Sequence, residues 1–319
     1  MIRPGTQPYV LTIGESMGLL RQQQPGRLVT QRALEFGFGG AESNVAIGLS
    51  RLGIDAVWCG RLGDDSVGEL IERELRAEGV QPWVIRDPDA PTGLMLKERP
   101  TSGTSKVVYY RKHSAGSRLA PTDVPDALIE QAALVHVTGI TPALSESASE
   151  ATESTLRRAR AAGVLTSIDL NYRAALWNRV DAAARLTELV ALADIVFAGD
   201  DEAAILLGHR SVPELAAGLR ALGPQEAVIK LGERGCFASA GEQTLERAAV
   251  PVTAVDTVGA GDAFVAGYLA ERLAGSSLPL RLETAVTAGA FACLTAGDWE
   301  GLPRRQDFAL LGAVDPVQR

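Results

Sequence analysis

The sequence predicts an α/β protein, a mostly parallel sheet covered by helices on both faces. After Ala120, strand-like runs at 134–138, 164–170, 194–198 and 227–231 alternate with helical segments near 145–162, 181–191, 200–207 and 212–222. That βαβα rhythm calls for parallel strands joined by crossover helices. Two glycine-rich turns, Gly39-Gly40 and Gly259-Ala260-Gly261, each run directly into a helical pattern. Ligands in such folds collect beyond the carboxyl ends of the strands.

Composition narrows the class. The 319 residues are 46% hydrophobic and 22% charged, which is a globular balance with material for a large core. A net charge of −8 argues against nucleic acid as a partner, because phosphate backbones are bound through lysine and arginine. Local arginines can still hold a small anion. Cys59, Cys236 and Cys293 are widely spaced in apolar stretches, with no disulfide or zinc spacing. The first eight residues contain no apolar signal core, and no run reaches the ~20 apolar residues of a membrane span. The expectation is a cytoplasmic protein with no membrane partner.

Residues 9–14 read as a first strand ending in glycine. The next turn, Gly14-Glu15-Ser16-Met17-Gly18, is neither the dinucleotide fingerprint nor a P-loop, so any nucleotide is held without a Walker A turn, and a dehydrogenase reading lacks its loop. Residues 32–38 alternate as a short strand. Gly39-Gly40-Ala41-Glu42-Ser43-Asn44 then enters a helix with Val45, Leu49 and Leu52 on its buried stripe and Gly53 as its stop. Asn44 lies about one turn in, where it either reaches a polyhydroxy ligand or faces solvent. A strand over 56–60 precedes a helix from Asp64-Asp65-Ser66, with Val67, Leu70, Ile71 and Leu75 as its apolar face and Gly79 as its end. Its charged side is a solvated face.

The character changes over 92–111. Residues 93–98 and 106–111 are strand-like and are joined by the turn-rich Pro100-Thr101-Ser102-Gly103-Thr104. With a period of two, Tyr109 and Arg111 share a face and Tyr110 points away. The hairpin reads either as a lid over a ligand or as an ordinary edge hairpin. In the second half, three strand ends carry chemistry: 169–173, 199–202 and 230–235.

The chain is organised around Asp256-Thr257-Val258-Gly259-Ala260-Gly261-Asp262, preceded by a β-like run at 249–255 and succeeded by Phe264, Val265, Tyr268, Leu269 and Leu273 at helical spacing. A glycine turn opening a helix points free N–H groups and the positive end of the helix dipole at an anion. A carboxylate there would repel phosphate, which leaves Asp262 as a proton acceptor or as a helix cap. Helical pattern over 282–296 ends at a loop that carries Asp298.

Together these motifs resemble the ribokinase-like (PfkB) family of carbohydrate kinases. The resemblance rests on Gly39–Ala46 and Asp256–Asp262, about two hundred residues apart in that order. Residues 109–117, 139–145, 169–177 and 297–301 resemble the branch of 2-keto-3-deoxygluconate kinases. The resemblance implies a three-layer ribokinase-like sandwich in one domain over 1–319, with a β lid built from 15–38 and 92–118. It implies phosphoryl transfer from ATP, with Mg²⁺, to the 6-hydroxyl of 2-keto-3-deoxygluconate; another keto-deoxy sugar acid or a ketohexose such as fructose is the alternative substrate. Asp262 would be the general base, with Gly259, Ala260 and Gly261 as the anion hole. Gly40, Asn44, Tyr109, Arg111, Arg173 and Asp298 would hold the sugar acid, and the two arginines suit its carboxylate. Lys230, Gly232, Gly235, Asp256 and Thr257 fall on the nucleotide side, and Glu202 would orient the metal. Three positions depart from the family pattern: Gly199 replaces Asn or Ser before Glu202, Met95 replaces a tyrosine, and Leu19 stands near where many relatives have aspartate. The resemblance also implies a homo-oligomer formed through the lid strands. A sugar- or nucleotide-binding regulator without catalysis is the reading from another class.

Overall fold

The computed structural model describes residues 8–101 and 104–312. The expectation about the N-terminus, apart from Pro8, and the Ser102-Gly103 part of the hairpin turn lie outside the described residues. The chain opens with β1 (Tyr9–Ile13), β2 (Met17–Gln22), β3 (Leu34–Gly39), α1 (Ala41–Arg51), β4 (Ala56–Gly63), α2 (Ser66–Ala77) and β5 (Gln81–Asp87). The hairpin β6 (Leu94–Thr101) and β7 (Thr104–Tyr110) comes next. Then come α3 (Asp126–Glu130), β8 (Ala132–Thr138), α4 (Glu146–Ala161), β9 (Leu165–Asp169), α5 (Arg179–Val190), β10 (Ile195–Gly199), α6 (Asp200–Leu207), α7 (Val212–Ala221) and β11 (Glu226–Lys230). The chain closes with β12 (Cys236–Ala240), β13 (Gln243–Arg247), α8 (Ala260–Leu273) and α9 (Leu278–Ala292).

The large sheet has nine strands in the order β13-β12-β11-β10-β9-β8-β1-β4-β5. It is parallel from β5 to β11, and β12 and β13 add an antiparallel edge. Neighbouring residues on its strands divide between two cores, as the period of two requires. Val10, Trp58, Leu134, Phe197 and Val228 pack under α1, α8 and α9. Leu11, Val57, Val135, Val196 and Ile229 pack under α4, α5 and α7. The result is three layers, helix on sheet on helix. Strand order reverses at β1, whose neighbours β4 and β8 lead away in opposite directions, and that is where such a sheet opens a crevice.

The second sheet, β3-β2-β6-β7, is small and stands apart from the first. Residues 17–22 form β2 within it, a strand that periodicity leaves unassigned because Met17-Gly18-Leu19-Leu20 does not alternate. Only β2 and β6 run parallel; the other two pairings are antiparallel.

The structure corrects two expectations. Residues 249–255 form no strand but irregular chain beside α9, bent at Val255. The Val255 N–H donates to Cys293 O at 2.8 Å, so the segment is held by a helix end rather than a sheet neighbour. The last long helix spans Leu278–Ala292 rather than 282–296, because Pro279 suits a first helical turn. Cys293 is only partly buried, whereas Cys59 and Cys236 are buried.

Candidate active site

Several helices that serve the scaffold are capped by side chains: Asp65 accepts from Gly68 N–H, Ser145 from Ala148 N–H, and Asn178 from Val180 and Asp181 N–H. The two helices that start on the glycine turns of the crevice are not. α1 begins on Gly40 and α8 on Gly259, with no side-chain cap on either. The first-turn N–H groups of a helix have no intrahelical acceptor; at α8 the Ala260 N–H donates weakly to Thr257 O at 3.3 Å, and those of Gly261 and Asp262 remain available to an anion. Gly259 has φ +78°, and a Cβ there would lie 1.9 Å from Asp298 O, so this turn requires glycine.

Two cavities meet at this helix start. One, of about 330 Å³, lies under the small sheet and is lined by Gly40, Asn44, Tyr109, Arg111, Arg173, Gly259, Asp262 and Asp298 among others. The other, of about 810 Å³, is lined by Gly232, Gly235, Val250, Val252, Ala260, Phe264, Val286 and Ala290. Lys230, Thr257 and Gly261 line both. The glycine turn that starts α8 is thus the wall between them.

Asp262 is the third residue of α8 and is buried. Its Oδ2 accepts from Asn44 Nδ2 at 2.8 Å, so Asn44 is not a solvent-facing residue. Burial pushes the Asp262 carboxyl up to about 7, and the Asn44 hydrogen bond draws it back in part. A base poised near neutrality fits proton transfer. Asp298 is likewise buried and pushed up to about 7 by burial, with the Lys97 charge opposing. A Cβ at position 39 would lie 2.1 Å from Asp298 Oδ2, so Gly39 leaves room for this carboxyl.

Lys230, at the end of β11, pairs with Asp169, at the end of β9, at 2.5 Å. Burial opposes the lysine charge, but Asp169, Glu202 and Asp262 more than reverse this and hold it protonated. Its Nζ lies 3.7 Å from where a Cβ on Gly261 would stand, beside the start of α8. Glu202 Oε1 accepts from Tyr172 N–H at 2.9 Å and Oε2 from Gly199 N–H at 2.7 Å. Gly199 therefore serves as the first residue of a helix cap held by Glu202. No group of three or more acidic, His or Cys side chains is placed to bind a metal among the described residues.

The arginines differ. Arg111 is buried and joined to Glu15 Oε2 through Nη2 at 2.5 Å and Nε at 2.7 Å, with Tyr109 stacked 5.6 Å away. One edge of that guanidinium is therefore already neutralised. Arg173 is exposed at the cavity rim and makes no ion pair among the described residues. Asp256 departs from its expected place. It lines neither cavity, because its carboxylate is turned to Lys97 of β6. Lys97, Glu15 and Glu42, all buried at the smaller cavity, are not among the site residues read from the sequence, although Glu42 lies within the Gly39–Ala46 motif. Glu15 had a signal, since it lies just beyond the end of β1 at the strand-order reversal; Lys97 had none beyond its place in the hairpin.

A small polar cleft and a larger, mainly apolar slot that share the uncapped start of a helix, with a carboxyl near neutrality at the junction, define a phosphotransferase acting on a polyhydroxy molecule. The chain belongs to the pfkB family carbohydrate kinases, matching that family over residues 7–305. It is 38% identical over 304 residues to a 2-dehydro-3-deoxygluconokinase of Bacillus subtilis, covering 94% of each chain. To a 2-dehydro-3-deoxygalactonokinase of Haloferax volcanii it is 37% identical over 288 residues, covering 88% of each. A sugar kinase from Pyrococcus horikoshii, solved in complex with ATP, superposes with TM-score 0.82 at 27% identity, covering 93% of this chain and 96% of that one.

Proposed function

We propose that the protein transfers the γ-phosphoryl group of ATP to the terminal 6-hydroxyl of 2-keto-3-deoxygluconate. The observation that carries this reading is the junction of the two cavities at Gly261, with Asp262 on the sugar side. The 6-hydroxyl oxygen attacks the γ-phosphorus, the bond to the β-phosphate oxygen breaks, ADP leaves and Asp262 takes the hydroxyl proton. Such transition states are loose, so positioning and charge stabilisation supply most of the acceleration. The N–H groups of the α8 start and the Lys230 ammonium stabilise the transferring group.

The slot lined by Val250, Val252, Phe264, Val286 and Ala290 suits an adenine ring, with Gly232 leaving its mouth open to phosphates and Gly235 letting the loop pack against the backbone at Arg247. Glu202 would orient a Mg²⁺ ion arriving with the nucleotide, which would keep most of its waters and supply charge against the phosphates, whereas Asp169 already gives both its oxygens to Lys230. Glu202 would act through water, because both its oxygens already accept backbone N–H groups.

On the sugar side, Arg173 meets the substrate carboxylate, and Arg111 with Tyr109 closes over it. Asn44, Gly40 and Asp298 face the hydroxyls. Leu19 and Met95, both buried on the inner face of the small sheet, offer no partner for a hydroxyl. This supports a substrate with a methylene at C3 over fructose. The small sheet is the lid in this reading, and its outer strands β3 and β7 are the edges through which two copies would pair.

The test is ATP-dependent phosphorylation of 2-keto-3-deoxygluconate beside its C4 epimer, fructose, ribose and gluconate, with and without Mg²⁺. Preference for a keto-deoxy acid supports the reading. Equal or better turnover of a neutral ketose overturns the assignment of Arg173 to a carboxylate.

A further inference from the structure

Lys97 is among the most deeply buried large side chains of the protein, at 2% side-chain exposure, although it sits on a strand of the small sheet. A buried ammonium needs a partner, since an isolated charge is strongly disfavoured away from water. The partner is Asp256 Oδ2, 159 positions away. The same carboxylate ties together two other segments: Oδ1 accepts from Val258 N–H and Oδ2 from Gly297 N–H, each at 3.3 Å. Val258 belongs to the turn that opens α8, and Gly297 precedes Asp298. The two segments pack tightly, as the close approach of Gly259 to Asp298 O requires.

We infer that Lys97 is a positioning residue for phosphoryl transfer: its ammonium clamps Asp256 and thereby holds the anion-hole turn and the Asp298 loop in register with the closed small sheet. Lys97 lines the sugar-side cavity, so the sheet that covers the sugar also carries the clamp. With the ammonium withdrawn, Asp256, Asp298 and Glu300 are left as neighbouring acidic groups. Their mutual repulsion loosens the turn. The transferring group is then stabilised only when the small sheet is down. This inference rests on the anion-hole role proposed for the α8 start, and it adds a residue outside that turn on which the turn depends.

The experiment compares wild type, Lys97→Met, Asp256→Asn and the double variant in the full-length protein. Hydrogen exchange without any ligand reads the clamp directly. Lys97→Met should exchange faster in segments 254–262 and 296–299, with other core segments unchanged. Kinetics with ATP and the sugar acid read its consequence. Lys97→Met should lose about a hundredfold in kcat, the scale on which small misplacements act, at little change in KM for ATP. The double variant removes both charges and should regain thermal stability without regaining kcat. If it regains both, Lys97 serves stability alone and the inference is wrong. Unchanged exchange of the two segments in Lys97→Met also overturns it. If wild type fails to phosphorylate any sugar acid, the substrate reading falls, while the exchange experiment still decides the clamp.

Discussion

Asn44 donates from Nδ2 to Asp262 Oδ2 at 2.8 Å across 218 positions of sequence. Each residue lies in the first turn or so of a helix that starts on an uncapped glycine. The bond aims the Asp262 carboxylate and, in the proposed mechanism, leaves Oδ1 to meet a hydroxyl proton. It also joins the two glycine motifs into one site.

Asp262→Asn should keep both ligands bound and lower kcat by about 10²–10⁴, the usual contribution of a positioned general base. Initial rates paired with calorimetric titration of sugar and nucleotide check this. An unchanged kcat would make Asp262 a helix cap.

With its carboxyl near 7, Asp262 should impose an acid limb on the rate, so that kcat rises with pH through about 7 and levels above it. Asn44→Ala removes the hydrogen bond that lowers this value, so the limb should move to higher pH. Rate profiles from about pH 5 to 9 for both proteins give the comparison. A limb that stays in place in Asn44→Ala would mean that the base is another group.

Asp298 has a consequence for stability. Unfolded, it loses its proton near 3.8; folded, near 7. The folded protein therefore holds the extra proton between these values, and stability falls as pH rises through that window. Above about pH 7 the full cost is in place, at most about 4 kcal/mol by the usual conversion. Asp298→Asn should melt several degrees above wild type at about pH 8 and lose that advantage near pH 4. Thermal melts at the two pH values settle the sign.

The arginines should separate in mutagenesis. Arg173→Ala removes a guanidinium with no ion-pair partner among the described residues, so it should raise KM for the sugar acid with little change in Tm. Arg111→Ala leaves Glu15 buried without its charge partner and should destabilise the fold by about 3–5 kcal/mol. Steady-state kinetics and melts of both variants test this. A KM untouched in Arg173→Ala would remove it from the substrate site.

Gly259→Ala places a methyl group 1.9 Å from Asp298 O at a backbone φ of +78°. The turn must shift, and both the start of α8 and Asp298 shift with it. Loss of activity should exceed the loss of stability, as assayed by kcat/KM beside denaturant melts. A fully active variant would show that the turn tolerates another geometry.

Much of the frame was legible because it is local. Short strand-like runs located β8 to β11 and the helical segments between them located α4 to α7, since a βαβα rhythm along the chain is itself the signature of a parallel sheet with crossover helices. The two glycine motifs marked the helix starts of the site for the same reason: backbone geometry is written in residue type. The partners were not local. The pairing of Asn44 with Asp262, of Arg111 with Glu15, of Lys230 with Asp169 and of Lys97 with Asp256 joins positions 61 to 218 apart. None of these pairs has a periodicity, and Asp256 in particular reads from its motif as a nucleotide residue. Only the folded chain, by bringing strand ends and the small sheet over one helix start, decides which charges are buried together and hence which are neutralised and which are left for a ligand.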